Sequence, residues 1–283
     1  MIKTLLKILL IFLFFALLAF AVFYFWQQFL YQKNLDDAIV ATKSAPVNHI
    51  GKPLLWLETT SNDSFANKKD DDTIHAWQNK GAFMQKSLAQ QPLYKTKAIN
   101  NLPALYFDDR SFMVDSNFSD LAEKATIFLV LKPSNKQGKQ TILSKISNEI
   151  NFSFSINNKI GNYNYELCLQ NPQKKCFISK SIDFDKQIGS QIISILIDSY
   201  NYNKGSIAIF ANKKLVSSFA SGSAFLGEAK SPLNLGRNID ANQVVANYFN
   251  DGYIGEIIIY NQFLSDLQRK LIEDYLYKKW LFK

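Results

Sequence analysis

The succession of apolar and polar positions divides the chain into four stretches. Residues 1–7 are short and basic, with Lys3 and Lys7. From Ile8 to Trp26 no charged or strongly polar side chain interrupts the run, so residues 8–26 are long enough to cross a hydrocarbon core as a helix. Residues 27–52 are mixed, with Gln, Asn, Asp36-Asp37 and Pro46. They read as a tether whose first part continues the helix for a few turns before Ala45-Pro46 ends it, its job being distance from the bilayer. From Pro53 to Tyr260, short apolar runs separated by turn formers take over, the mark of β-strands.

Within residues 53–283, Thr126–Leu131 is an unbroken apolar run of strand length and reads as a central buried strand. Asn151–Ile156 alternates strictly, which sends Phe152, Phe154 and Ile156 to the core and Ser153 and Ser155 to water or a second layer. Gln191–Asp198 and Ser206–Ala211 form the next pair. Trp56, Trp77 and Phe107 are the expected buried anchors of a polar insert between Leu54–Leu57 and Ala104–Phe107. Near the end, Ser265 and Gln268 stand at capping-box spacing, and Leu267, Leu271, Tyr275 and Leu276 recur at helical spacing. A short carboxy-terminal helix follows, with that stripe and Trp280 against the sheets.

The leader has two readings. Ala19-Phe-Ala21 offers a small-x-small cleavage site, yet the apolar run continues through Val22–Trp26, which favours an uncleaved anchor. Tyr24, Trp26 and Tyr31 sit where aromatic side chains settle at a lipid boundary, and the flanking lysines place the amino terminus in the cytoplasm. The expectation is a single-pass membrane protein with its carboxy-terminal domain periplasmic or extracellular.

The ordered set Leu54–Leu57, Trp77-Gln-Asn-Lys-Gly81, Gln90-Gln-Pro-Leu-Tyr94, Asn100–Asp108, Pro232–Asn238, Asp251–Tyr260 and Tyr275–Trp280 resembles the laminin-G-like, concanavalin A-like jelly-roll domains of bacterial envelope proteins. The resemblance covers roughly Pro53 to Trp280. It implies an all-β, two-sheet antiparallel jelly-roll sandwich with a short carboxy-terminal helix, here behind one amino-terminal transmembrane helix. Functions in that family range over sugar binding, adhesion, glycoside cleavage and structural support, so the fold alone does not choose among them. Two positions depart from the family pattern, Asn79 and Asp109, where members often carry Asp and Gly.

The net charge of +8 is compatible with an anionic partner. The lysines are scattered, however, with short pairs such as Lys278-Lys279 and no basic stripe, so nucleic acid is not an expected partner. Cys168 and Cys176 flank a turn-rich insert like the two arms of a hairpin, which predicts a disulfide in an oxidising compartment and two free thiols otherwise.

Enzyme chemistry finds little support. A Glu-x-Asp-x-Glu strand, which would place its carboxylates on one face, is missing. Asp183-Phe-Asp185 has no following Glu, and Glu256 stands alone before Ile257. His49 and His75 lack partners for zinc or nucleophilic chemistry. No cofactor is expected, calcium excepted: Asp108, Asp109 and Asp251 are the loop oxygens that could serve it, although such aspartates are commonly turn formers.

For a sugar, the useful mixture is aromatic faces beside amides and charged donors. Tyr200, Tyr202 and Asn203, Tyr163 and Tyr165, and Arg237 with Asn238 supply it, although in a chain this rich in Tyr and Asn the same residues also read as ordinary hairpin loops. The sequence therefore reads as an anchored, non-catalytic module binding a glycan at the envelope. The alternatives are a scaffold or adhesion domain that meets an envelope protein and has no small ligand and, more weakly, a glycoside hydrolase.

Overall fold

The computed structural model describes residues 2–60, 65, 67–79, 82–86, 91–118, 121, 123–146, 150–159, 162–169, 176–180, 182–183, 189–199, 205–221, 232–239 and 244–281. Helix α1 spans Ile2–Lys43, a single turn follows at Val47–Ile50, and α2 spans Asp266–Trp280. The strands between them are β1 Leu55–Glu58, β2 Ala76–Asn79, β3 Ala82–Lys86, β4 Leu93–Ile99, β5 Leu102–Phe107, β6 Met113–Asp115, β7 Lys124–Lys132, β8 Gly138–Ile146, β9 Ile150–Lys159 and β10 Asn162–Leu169. They continue with β11 Cys176–Ile178, β12 Ile182–Asp183, β13 Gln191–Asp198, β14 Ser206–Ala211, β15 Lys214–Ala220, β16 Leu233–Leu235, β17 Arg237–Ile239, β18 Val245–Tyr248 and β19 Gly252–Tyr260.

Two antiparallel sheets stack as a sandwich. The first runs β15-β14-β13-β7-β19-β5-β4, with β1 also on β19, and the second runs β11-β10-β9-β8-β16-β6-β3-β2, with β12 on β10. The supposed insert before Phe107 thus contributes strands to both sheets. Hairpins β4–β5 and β14–β15 turn on Asn100-Asn101 and Asn212-Lys213, pairs with positive φ, the backbone that two-residue hairpins with right-handed strand twist require.

Strand β7 shows why its run is unbroken. Ile127, Leu129 and Leu131 enter the core between the sheets, while Phe128 and Val130 enter a second cluster on the outer face of the first sheet. A strand covered on both faces has no polar side to display. Trp77 and Phe107 lie in the inter-sheet core, and Trp56 in the outer cluster, all buried as expected.

That outer cluster is sealed by the two helices. Ser265 accepts from the Gln268 amide, and the Gln268 side chain accepts from the Ser265 amide, so the capping box is present. Of the expected stripe, Tyr275 and Leu276 are buried, with Trp280, but Leu267 and Leu271 are exposed, and Arg269, Ile272, Glu273 and Lys279 take the inward positions instead. The helix turns these three charged residues inward because each finds a partner. Arg269 pairs with Asp266 and Glu273, and Glu273 also accepts from Ser194 on β13.

Lys279 is the deeper case. One of the short lysine pairs of the sequence supplies it, and it is fully buried between Glu58 and Glu256, which are cross-strand partners on β1 and β19. Its ammonium donates to Glu58, to Glu256 at 2.9 Å and to the Thr42 hydroxyl at 2.7 Å. Glu256, expected to stand alone, also accepts from the indoles of Trp56 and Trp280, both at 2.8 Å, and from the Tyr275 hydroxyl at 2.9 Å. Burial, then the charges of Glu256 and Glu58, raise the Tyr275 phenol well above its usual range. At Gly255 a Cβ would lie 2.7 Å from the Trp280 ring, so that position admits no side chain without displacing the indole.

Thr42 belongs to α1, so this clasp ties the amino-terminal helix to the sandwich. Ala38, Ala45 and Val47 share the outer cluster with Trp56, Phe128 and Trp280, and the Tyr260 hydroxyl donates to the Val47 carbonyl at 2.9 Å. The stretch expected to stand the domain off the bilayer is therefore, over its second half, part of the domain's own packing. Ahead of it, Leu9–Trp26 displays exposed apolar side chains, on a helix long and apolar enough to cross a membrane.

Cys168 and Cys176 face each other on β10 and β11 and form the expected disulfide, with Cα atoms 4.1 Å apart. The closed loop is short, so replacing both cysteines by serine should cost about 2–3 kcal/mol in the chain-entropy account. Urea unfolding of both forms checks this.

Candidate functional site

The two outer faces of the sandwich differ in kind. That of the first sheet is largely apolar, holds the buried Lys279–Glu58–Glu256 cluster and is packed by α1 and α2. That of the second is polar, and the strand alternation dictates it. On β9, Phe152, Phe154 and Ile156 point into the core, and on β10 so do Tyr163, Tyr165, Leu167 and Leu169. Ser153, Ser155 and Asn157, and Asn164 and Glu166, therefore project from the opposite face.

Register arranges these groups in rows. Asn234, Ser144, Ser153 and Cys168 lie side by side across β16, β8, β9 and β10. Thr141, Ser155 and Glu166 form the next row, and Lys139, Asn157 and Asn164 the one beyond. The hydroxyls make a buried floor, with Thr141 and Ser155 hydrogen-bonded to each other at 2.9 Å. Ser153 and Ser155 turn away from the core as expected, but they are buried.

Two partly exposed borders flank this floor. On one side Lys139 pairs with Glu166 at 2.5 Å beside Asn157 and Asn164, and Ile178 on β11, opposite Glu166, is 58% exposed. On the other side the β17–β18 hairpin lies over β8, where the Ser144 hydroxyl donates to the Arg237 carbonyl at 2.8 Å. The Arg237 guanidinium lies 3.4 Å from the centroid of the Phe112 ring, and its Nε donates to Asn234 Oδ1 at 2.9 Å. Burial pulls the Arg237 pKa below its usual value, against a smaller opposing effect of Tyr248.

The sequence-derived site residues disperse on this structure. Tyr163 and Tyr165 are core residues, 2% and 0% exposed, and offer no face to a sugar ring. Their hydroxyls serve the fold: Tyr163 donates to Asn135 Oδ1 and Tyr165 bonds to Gln191. Arg237 is on the polar face, with Asn238 buried beside it in sequence. Tyr200, Tyr202 and Asn203 lie outside the described residues, as does Asp185. Sequence reasoning missed Asn157, Asn164 and Glu166, although the Tyr163-x-Tyr165-x-Leu167-x-Leu169 alternation carries the signal.

The three calcium candidates lie around the Lys136 ammonium, but they form no cluster at metal-ligand spacing among the described residues. Asp108 Oδ1 accepts from the backbone amides of Arg110 and Ser111, as a turn former does. Asp109 meets Arg110 at 3.5 Å, and Asp251 holds the Lys136 ammonium at 2.5 Å and the Tyr106 hydroxyl at 2.6 Å. The hydrogen bonds from Lys136 and Tyr106 lower the Asp251 pKa. Glu166 lies near the two cysteine sulfurs, but those are joined in the disulfide and supply no thiolate for a metal.

No protein-family model matches the chain, and no curated protein matches it. Solved structures do resemble it. The CBM40 of the Ruminococcus gnavus IT-sialidase, bound to α2,6-sialyllactose, shares 20% identity at a TM-score of 0.47, over 60% of this chain and 94% of that one. The ligand binding domain of botulinum neurotoxin serotype D, in complex with N-acetylneuraminic acid, shares 14% at 0.48, over 83% of this chain and 52% of that one. A SAP-like pentraxin from Limulus polyphemus shares 16% at 0.39, over 53% of this chain and 69% of that one.

Proposed function

We propose that the chain is a membrane-anchored, non-catalytic module of the laminin-G-like kind that binds a glycan on the outer face of its second sheet. The observation that supports this reading best is the contrast between the two outer faces. One is largely apolar, with the Lys279 cluster buried in it, and is closed off by helices, while the other has a buried floor of hydroxyls with partly exposed Asn157, Asn164 and Arg237 along its borders. Those border side chains offer donors and acceptors in fixed positions, which is what reading sugar hydroxyls requires. The exposed Ile178 adds an apolar spot for a sugar's C–H face.

A binding role without turnover fits the carboxylates. Glycoside cleavage needs two carboxyl groups on either side of an accessible bond. Glu58 and Glu256, which pair across strands, are buried under α2 and neutralised in part by Lys279. In this reading α1 crosses a bilayer with its amino terminus in the cytoplasm, and the clasp at Thr42 holds the sandwich close to the exported surface.

A glycan array on the full chain in detergent micelles tests the proposal, with sialyllactose among the first probes. Binding to one class of glycan is expected. Asn157→Ala combined with Asn164→Ala should weaken it about tenfold or more, since a tenfold loss corresponds to about 1.4 kcal/mol, the scale of one or two hydrogen bonds. A folded chain that binds no saccharide, or one indifferent to both substitutions, would contradict it.

A further inference from the structure

We propose that Arg237 forms an anion subsite on this face, and that the ligand is accordingly a sugar bearing a carboxylate. The proposal rests on the preceding reading of the second sheet and adds the class of ligand.

The other deeply placed cations on α2 show what a settled charge looks like here. Arg269 holds Asp266 and Glu273, and Lys279 holds Glu58 and Glu256. Arg237 is also partly buried, yet no carboxylate lies within ion-pair reach of it among the described residues. A partly buried cation with no counter-charge among the described residues carries a desolvation cost in the unliganded protein. An incoming anion removes that cost.

The guanidinium is also held ready. Phe112 supports its flat side, Asn234 takes its Nε proton, and the Ser144 hydroxyl pins the strand that carries it. Its terminal nitrogens make no hydrogen bond with the described residues. Two parallel N–H groups at that end match the two oxygens of a carboxylate, a geometry that lysine does not offer.

The test is calorimetric titration of the full chain in detergent micelles with N-acetylneuraminic acid, glucuronic acid, glucose and glucose 6-sulfate. The expected result is that at least one sugar acid binds about tenfold or more tighter than glucose, a preference that weakens as salt is raised because charge carries it. Arg237→Gln should abolish the preference while leaving the melting temperature of the unliganded chain unchanged or higher. Arg237→Lys should keep part of it. If Arg237→Gln leaves the acid-to-neutral ratio intact, or if the sulfate ester outranks both acids, the carboxylate subsite is wrong while the glycan-binding face stands. A steep fall in the melting temperature of Arg237→Gln would mark a structural side chain and overturn the subsite as well. No binding of any sugar by the folded chain overturns both.

Discussion

Replacing Lys279 by methionine is expected to destabilise the chain by about 3–5 kcal/mol, because removing one partner of a buried ionic cluster leaves the other uncompensated. Glu58 and Glu256 are opposite each other on β1 and β19, and the lysine ammonium is what separates their charges. Methionine fills much the same volume, so the loss is electrostatic rather than a cavity. Adding Glu58→Gln should recover part of the loss, because it removes one of the two charges left facing each other, whereas it would not refill a cavity. Guanidinium unfolding of the three proteins checks this, and a Lys279→Met chain as stable as the parent at neutral pH would show the clasp to be unimportant.

Trp77→Ala should cost a comparable amount, about 3–5 kcal/mol, through a different mechanism, the cavity left by a large buried ring. Trp77 sits on β2 at the edge of the second sheet, fully buried, with Phe65 edge-on at 6.2 Å. Its indole donates across the sandwich to the Glu58 carbonyl of the first sheet at 3.2 Å. The substitution therefore opens the core and also removes a tie between the layers. For a domain whose total stability is typically about 5–15 kcal/mol, either change approaches the limit of folding. Both sites meet at Glu58, Trp77 through its carbonyl and Lys279 through its carboxylate, so a double variant is expected to depart from additivity. A Trp77→Ala loss below about 1 kcal/mol would mean that the anchor is not where the packing places it.

Several elements follow from local pattern alone. Thr126–Leu131 is buried on both faces, Phe152, Phe154 and Ile156 alternate into the core, and Ser265 with Gln268 starts the last helix. What escaped local pattern is what depends on partners distant in the chain. Lys279 meets Glu58 across 221 residues and Glu256 across 23, so nothing near Lys278-Lys279 tells it apart from a solvated pair. The same applies to the first turns of α2, where Leu267 and Leu271 look like the packing stripe that Leu276 continues, until Arg269, Glu273 and Lys279 each find a buried partner. The tyrosines are a different matter: Tyr163 and Tyr165 share the strand face of Leu167 and Leu169, and period-two alternation alone assigns them to the core. Of the site, Arg237 was named from sequence for its charge beside an amide, but its Phe112 support comes from a separate loop 125 residues away and is visible only in the fold.

Hydrogen–deuterium exchange of the full chain in detergent micelles, with and without the best-binding glycan, bears most directly on the function proposed. Slower exchange confined to β8, β9, β10 and the β16–β17 segment is the expected outcome. Protection at the loops around Asp108 and Asp251, or on the α1–α2 side of the first sheet, would place the ligand elsewhere and contradict it.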